Sequence, residues 1–231
     1  MQQAPAPDRA VHAQTLQRSD IEGLAAAGGA ASLADCDLEA ADLARLDLSG
    51  WAFERCALRH ANFDGAKLEG SRWQSCRGAF ASFVAADLTE ASITGCDFNN
   101  ALFRWATLRS ATFTGCKLTG ADLSEARGLD LEFRETLLIN AKLPAYSFRK
   151  QTLHKLDFSQ ADLRNCDFRA VVFDECSLRN ANMRACRFEG ADLRGADLGG
   201  LRLIDAALFR GATVSREQAG NLLGELGLNV R

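Results

Sequence analysis

No apolar run in this chain of 231 residues approaches the length of a membrane span, so no transmembrane helix is expected. The opening stretch, MQQAPAPDRAVHAQ, lacks the apolar core of a signal peptide, which makes the cytoplasm the expected compartment. A large excess of either charge is lacking as well. The net charge of −3 is too slight to imply, by itself, a polyanion-binding or strongly acidic surface. The three histidines, His12, His60 and His154, are scattered and form no paired motif. No glycine-rich phosphate loop follows a strand, and no serine sits in a nucleophile elbow. Neither an enzyme nor a cofactor is expected.

What is present is a period of five. From Leu33 to Leu208, residues whose numbers end in 3 or 8 are apolar at 34 of 36 positions, with only Gly78 and Gly128 breaking the series. Two residues before each, 29 of the 36 positions hold Ala, Cys, Ser, Thr or Val. Five matches neither the 3.6 of a helix nor the 2 of a simple strand, and it announces a solenoid. By strand alternation the Leu/Phe centre and the small residue two before it both point inward. The other three residues supply the outer surface and a corner.

A second period, of 20, implies four pentapeptides per coil. Cys36, Cys56, Cys76, Cys96 and Cys116 would stack on one column, Phe63, Phe83 and Phe103 on a second, and Phe148, Phe168 and Phe188 on a third. Twelve of the 14 phenylalanines sit at centre positions, so the aromatics read as core. All eight cysteines, including Cys166, Cys176 and Cys186, occupy the small inward site. Stacked thiols would have Cβ atoms about 4.8 Å apart, wider than the roughly 3.8 Å of a disulfide. With no CxxC and no histidine at ligand spacing, they read as small buried hydrophobes and not as a disulfide or metal framework.

The expected organisation is a disordered tail over 1–18, an N-terminal cap over 19–30, the repeat over 31–212, and a capping helix and tail over 213–231. A solenoid exposes raw backbone at each end, so both caps are physically required. Ser19-Asp20-Ile21-Glu22 is a capping-box pattern, and Gly28 and Gly29 would end that short helix. Ser215-Arg216-Glu217-Gln218 is a second capping box, opening a helix with Ala219, Leu222, Leu223 and Leu226 on one stripe. Thirty-six pentapeptides make nine coils, about 43 Å of solenoid at the strand spacing.

Two surface features stand out. Between 131 and 156 the inward small site holds Leu131, Thr136, Ala141, Tyr146, Gln151 and Leu156, four of them large. The same stretch offers Leu129, Leu137 and Ile139 facing outward, which with Tyr146 make a candidate partner patch. A widened coil with compensating packing is the bland alternative. In the second half, Arg149, Arg164, Arg169 and Arg184 follow centre positions in paired columns and make a candidate basic patch. A solvated face accounts for it as well.

The chain resembles the pentapeptide-repeat family, whose A(D/N)LxX pattern stands intact at Ala41-Asp42-Leu43, Ala61-Asn62-Phe63, Ala121-Asp122-Leu123, Ala161-Asp162-Leu163 and Ala191-Asp192-Leu193. The resemblance implies an all-β solenoid: a right-handed quadrilateral β-helix of about nine coils, with short helical caps. The segment from Gly211 to Gly227 further resembles the Qnr/MfpA-type subgroup. That likeness implies binding to DNA gyrase or topoisomerase IV, protection from quinolones or other gyrase poisons, and a homodimer joined through the C-terminal helix by Leu222, Leu223, Leu226 and Leu228. The unbroken frame leaves no room for interrupting loops, so the chain would be of the loopless kind. Residues 33–212 sum to −2, whereas DNA of that length carries about 25 charges, so charge mimicry along all faces is not expected. The competing reading is a scaffold or effector module for another protein. Direct nucleic-acid binding is not expected, since the net charge has the wrong sign.

Overall fold

The pentapeptides share one local device at their corners. From Asp35 to Gly200 the residue whose number ends in 0 or 5 takes a left-handed backbone at every position but Gly195, as at Ala40 (φ 56°), Asn165 (φ 63°) and Gly190 (φ 73°). Three residues earlier, an Asp or Asn commonly accepts the amide N–H of the residue just before that corner. Asp37 Oδ1 takes the Glu39 amide at 2.9 Å, Asp122 Oδ1 the Ser124 amide at 3.0 Å and Asp157 Oδ1 the Ser159 amide at 2.9 Å. Such Asx turns explain the Asp or Asn of the repeat in structural terms. Between corners the backbone pairs with the next coil: Phe63 N–H donates to the Ser82 carbonyl at 2.7 Å, and Ser82 N–H to the Ala61 carbonyl at 2.9 Å. The chain is a parallel β-solenoid of about nine turns with a short helix near each end. The computed structural model describes residues 9–200, 207–225 and 227–230. It divides into two compact units, Met1–Phe133 and Arg134–Arg231.

In the first unit, strands β1 (Arg9–His12), β2 (Ala31–Ala34), β3 (Ala52–Glu54), β4 (Arg72–Gln74), β5 (Ser92–Thr94) and β6 (Thr112–Thr114) pair in parallel. Beyond β2 the register steps by 20, with Leu33, Phe53, Trp73, Ile93 and Phe113 aligned and buried. The expected ring ladder is there: Phe63–Phe83 and Phe83–Phe103 stack at 5.0 and 4.9 Å, within 3° of parallel. Such contacts add about 0.5–1.5 kcal/mol per pair beyond the burial of the rings. Gly78 vacates a centre position, and the Phe98 ring takes the space. No kink is required.

The N-terminus corrects the sequence reading. Residues 1–8 lie outside the described residues, but 9–18 are not a disordered tail. β1 adds an earlier turn of the solenoid, with Val11 opposite Leu33 and Thr15 opposite Asp37. The step here is 22 residues because helix α1 (Arg18–Ala26) occupies part of the turn, burying Ile21. The helix begins two residues earlier than expected: Asp20 Oδ2 accepts the Gln17 amide at 2.8 Å, while Glu22 pairs with Arg18 at 2.7 Å. Gly28 (φ 75°) and Gly29 (φ 79°) follow its end, and Arg9 donates to the Leu24 and Ala27 carbonyls at 3.1 and 2.6 Å.

Strand β7 (Glu132–Arg134) runs across the boundary between the units. In the second unit β8 (Thr152–His154) pairs with β9 (Val172–Asp174), and β10 (Cys176–Ser177) with β11 (Ala196–Asp197). The third-face ladder is present: Phe148–Phe168 and Phe168–Phe188 both stack at 5.0 Å. Its continuation departs from the expected frame. Phe209, not Leu208, stacks on Phe188 at 4.7 Å, and Thr213 pairs with Asp192, so the step has become 21. Gly195 is sterically required, because a Cβ there would lie 2.4 Å from the Phe173 carbonyl oxygen. Helix α2 (Arg216–Glu225) closes this unit. Its capping box is made by the expected residues: Gln218 Oε1 accepts the Ser215 amide at 2.6 Å, and Ser215 Oγ accepts the Gln218 amide at 3.1 Å. Gln218 Nε2 also donates to the Leu193 and Ala196 carbonyls, each at 2.7 Å. The helix thereby satisfies acceptors that a further coil would otherwise take.

Candidate functional site

With centre and small residues turned inward, only the corners and the outward strand positions reach solvent. The interior is filled by buried rings and aliphatics, and the eight cysteines are all buried free thiols. Their Sγ atoms donate to carbonyls in the preceding coil, Cys176 to Leu153 at 3.3 Å and Cys166 to Leu143 at 3.1 Å. Burial pushes the Cys116 thiol up to about 11, which keeps it protonated.

The residues of the candidate partner patch fall in both units. Leu129 is 65% exposed and belongs to the first unit. Leu137 is exposed and Ile139 half-buried, flanking the buried Leu138 in the second. Tyr146 keeps its inward station, half-buried, with its ring 4.5 Å from that of Phe148. Leu131, Thr136 and Leu156 are likewise buried, and Thr136 Oγ1 donates to the Arg134 carbonyl at 2.8 Å.

The candidate basic patch carries less free charge than its arginines suggest. Arg164 grips Asp162 through two bonds of 2.8 and 2.7 Å, and Arg169 grips Asp167 at 2.8 and 2.6 Å. Asp167 also receives Arg187 at 3.0 Å. The Arg169 hydrogen bond holds its carboxyl down at about 2. Arg149 and Arg184 are exposed and make no ion pair among the described residues.

At the C-terminus the four leucines take different surroundings. Leu222 is half-buried and lines a groove with Ala196, Leu198 and Gln218 of the last coil and helix. Leu223 is exposed, Leu228 is 55% exposed, and Leu226 lies outside the described residues. Beyond α2 the chain folds back, with Leu228 N–H donating to the Leu223 carbonyl at 3.2 Å.

The sequence reading passed over a further set. Phe80 is 47% exposed, Leu102 40% and Trp105 52%, all in the first unit. His60 stacks on Phe80 at 5.2 Å, and the Arg104 guanidinium lies 4.6 Å over the Trp105 ring. Their numbers carried the signal: 80 and 105 are corners and 102 is an outward strand position. Among the described residues, one group could offer three ligand atoms to a metal: His154, Asp174 and Glu175. Its members already have protein partners, His154 Nδ1 to Asp174 at 2.7 Å and Glu175 to Lys155 at 4.0 Å. Among the described residues no helix is long and apolar enough to cross a membrane.

Comparison with known proteins agrees with this geometry. The pentapeptide repeats profile matches in eight copies, over residues 31–70, 86–125, 132–169 and 172–208. No curated protein matches. Among solved structures, full-length QnrB1, a plasmid-mediated fluoroquinolone resistance protein, superposes with a TM-score of 0.72 at 20% identity, covering 95% of this chain and 100% of that one. HetL, a pentapeptide repeat protein involved in heterocyst differentiation regulation from the cyanobacterium Nostoc sp. strain PCC 7120, aligns at 20% identity over 81% of this chain and 86% of its own, with a TM-score of 0.46. The profile covers well over half of the sequence, and the chain belongs to the pentapeptide repeat family.

Proposed function

We propose that this protein binds DNA gyrase or topoisomerase IV and protects the enzyme from poisons such as quinolones. The observation that carries the reading is the superposition on QnrB1, which extends over the whole of that protein and 95% of this one. The C-terminal segment adds support, because α2 opens with the Ser215–Gln218 box and leaves Leu223 and Leu228 exposed for a second copy. A homodimer joined there would present two solenoids to one two-fold enzyme. A topoisomerase target places the protein in the cytoplasm with the DNA. A packed interior leaves recognition to the outer faces, which supports a binding role. One observation favours the alternative of a scaffold for an unrelated protein: the largest exposed rings, Phe80 and Trp105, lie far in sequence from the C-terminal segment that resembles the topoisomerase-binding subgroup.

The test is a supercoiling assay with purified protein, gyrase and ciprofloxacin. Restored supercoiling in the presence of the drug, or direct inhibition at low micromolar protein, is the expected result. No effect on gyrase or topoisomerase IV from the same host would overturn the reading.

A further inference from the structure

One side of the solenoid in the first unit is built from five corner-to-corner segments, residues 40–45, 60–65, 80–85, 100–105 and 120–125. They are held in register by the bridges Asp42↔Asn62, Asn62↔Ser82, Ser82↔Leu102 and Leu102↔Asp122. The Phe63–Phe83–Phe103 ladder packs directly behind them, so the outer surface is rigidly backed. Its middle is apolar: Phe80 at one corner, Leu102 on the strand and Trp105 at the opposite corner. Phe80 (φ 62°) and Trp105 (φ 58°) sit in the left-handed region, which bulky residues disfavour. Other left-handed corners in this unit hold Gly, Ala or a polar residue (Asn, Asp, Ser, Glu, Arg or His). An aromatic ring here adds backbone strain and exposed apolar area. His60 and Arg104 stack on the two rings and hold them in place.

The rim of this side is acidic. Asp64 borders the patch below, held by the Ser82 hydroxyl and by the Val84 amide at 3.0 Å, with Asp42 beyond it. Asp122 and Glu125 border it above. The basic residues of the side are Arg45, Arg104 and Arg18; Arg104 is already committed to the Trp105 ring, and Arg18 to Asp42 at 3.6 Å, which leaves Asp64, Asp122 and Glu125 as the acidic groups around the patch.

The geometry points to this side as a docking surface for a protein segment in which an apolar side chain is flanked by lysine or arginine. The apolar group packs over Leu102 between Phe80 and Trp105, and the cations meet Asp64 at one end and Glu125 at the other. Aromatic and arginine anchors of this kind dominate protein interfaces. A single-stranded nucleic acid would also find rings to stack on, but its phosphates would meet the same carboxylates. The inference stands whether or not the partner is a topoisomerase.

The full chain supplies its own probe, because Trp51 and Trp73 are buried and Trp105 is the third of three tryptophans. Two sets of short synthetic peptides with equal leucine content, one flanked by Lys/Arg and one by Asp/Glu, are titrated in dilute salt beside an oligouridylate RNA. Binding of the basic set should shift the tryptophan emission to the blue and shield it from acrylamide. Measured by anisotropy of labelled peptide, Trp105→Ala and Phe80→Ala should each weaken that binding about tenfold or more. Glu125→Lys should weaken the basic set alone. Circular dichroism checks that each variant keeps its fold. Equal affinity for both peptide sets, no binding by either, preference for the RNA, or unaltered binding in Phe80→Ala and Leu102→Ser would each overturn the proposal.

Discussion

The Cβ that Gly78 lacks would lie 2.3 Å from Cε1 and 2.6 Å from Cδ1 of Phe98, one coil further along. Gly78 occupies a centre position where the repeat otherwise places Leu or Phe, and its backbone is not left-handed, so only the ring of Phe98 excludes a side chain. Gly78→Ala should therefore destabilise by about 1–3 kcal/mol through overpacking. The cost should shrink when Phe98→Leu is added, because the smaller side chain returns the space. Urea denaturation of the two single variants and the double variant closes the cycle. Additive effects would show that the two positions do not compete for one volume.

Asp167 should make the second unit sensitive to acid. Its carboxyl is bound by Arg169 and Arg187, is almost buried, and is held at about 2 from its usual 3.8, first by the Arg169 hydrogen bond. A depressed folded value means that the contribution is present above the unfolded value and is lost as pH falls through the folded one. Stability should drop between about pH 4 and pH 2. Asp167→Asn keeps an oxygen for the Arg169 amide and removes the charge. It should cost on the order of 1 kcal/mol at pH 7 and much less at pH 2. Urea midpoints of both proteins at the two pH values decide it, and a gap independent of pH would refute the assignment.

The five-residue period specified the interior almost completely. Phe63, Phe83, Phe103 and Phe148, Phe168, Phe188 stack where 20-residue spacing places them. Where periodicity ends, so does legibility. β1 was hidden because α1 interrupts its turn and shifts the step to 22, and Phe209 was misplaced by one residue because the step becomes 21. The first shift belongs to the N-terminal cap, where local helix formation competes with coil pairing. The surface was read less well for a different reason. A repeat constrains the inward positions and the Asp or Asn of the Asx turn, so the remaining outward residues carry no periodic signal, and Phe80 and Trp105 stand out only singly. The Asp-x-Arg spacing of Asp162–Arg164 and Asp167–Arg169 was visible in the sequence, but the neutralisation it produces depends on side-chain geometry at the turn.

The cysteines should be inert in the native protein. All eight are buried, and burial raises Cys36, Cys116 and Cys176 above the ordinary thiol range. The thiolate is the reactive form, so both access and ionisation are suppressed. A chromogenic disulfide reagent at pH 8 should release little colour from native protein, and eight equivalents in strong denaturant. Rapid native reaction would contradict the packing of the Sγ atoms against the preceding coil.

Gln218 and Leu228 separate closure of the solenoid from assembly. Gln218 joins α2 to the last coil through the Leu193 and Ala196 carbonyls and completes the capping box, so Gln218→Ala removes both of those bonds, leaving Leu193 with only the Ala196 amide, and takes the acceptor from the Ser215 amide. A loss of about 1–2 kcal/mol is expected in the urea midpoint. Leu228 is more than half exposed and Leu223 is exposed beside it, so their burial must come from outside the chain if they serve a dimer. Leu223→Asp combined with Leu228→Glu should leave the midpoint of dilute protein nearly unchanged, while light scattering on a sizing column moves from dimer to monomer mass. A dimer that survives the double variant places the two-fold contact elsewhere. A monomeric wild type removes the two-fold geometry from the topoisomerase reading and leaves a single solenoid to account for any effect on supercoiling.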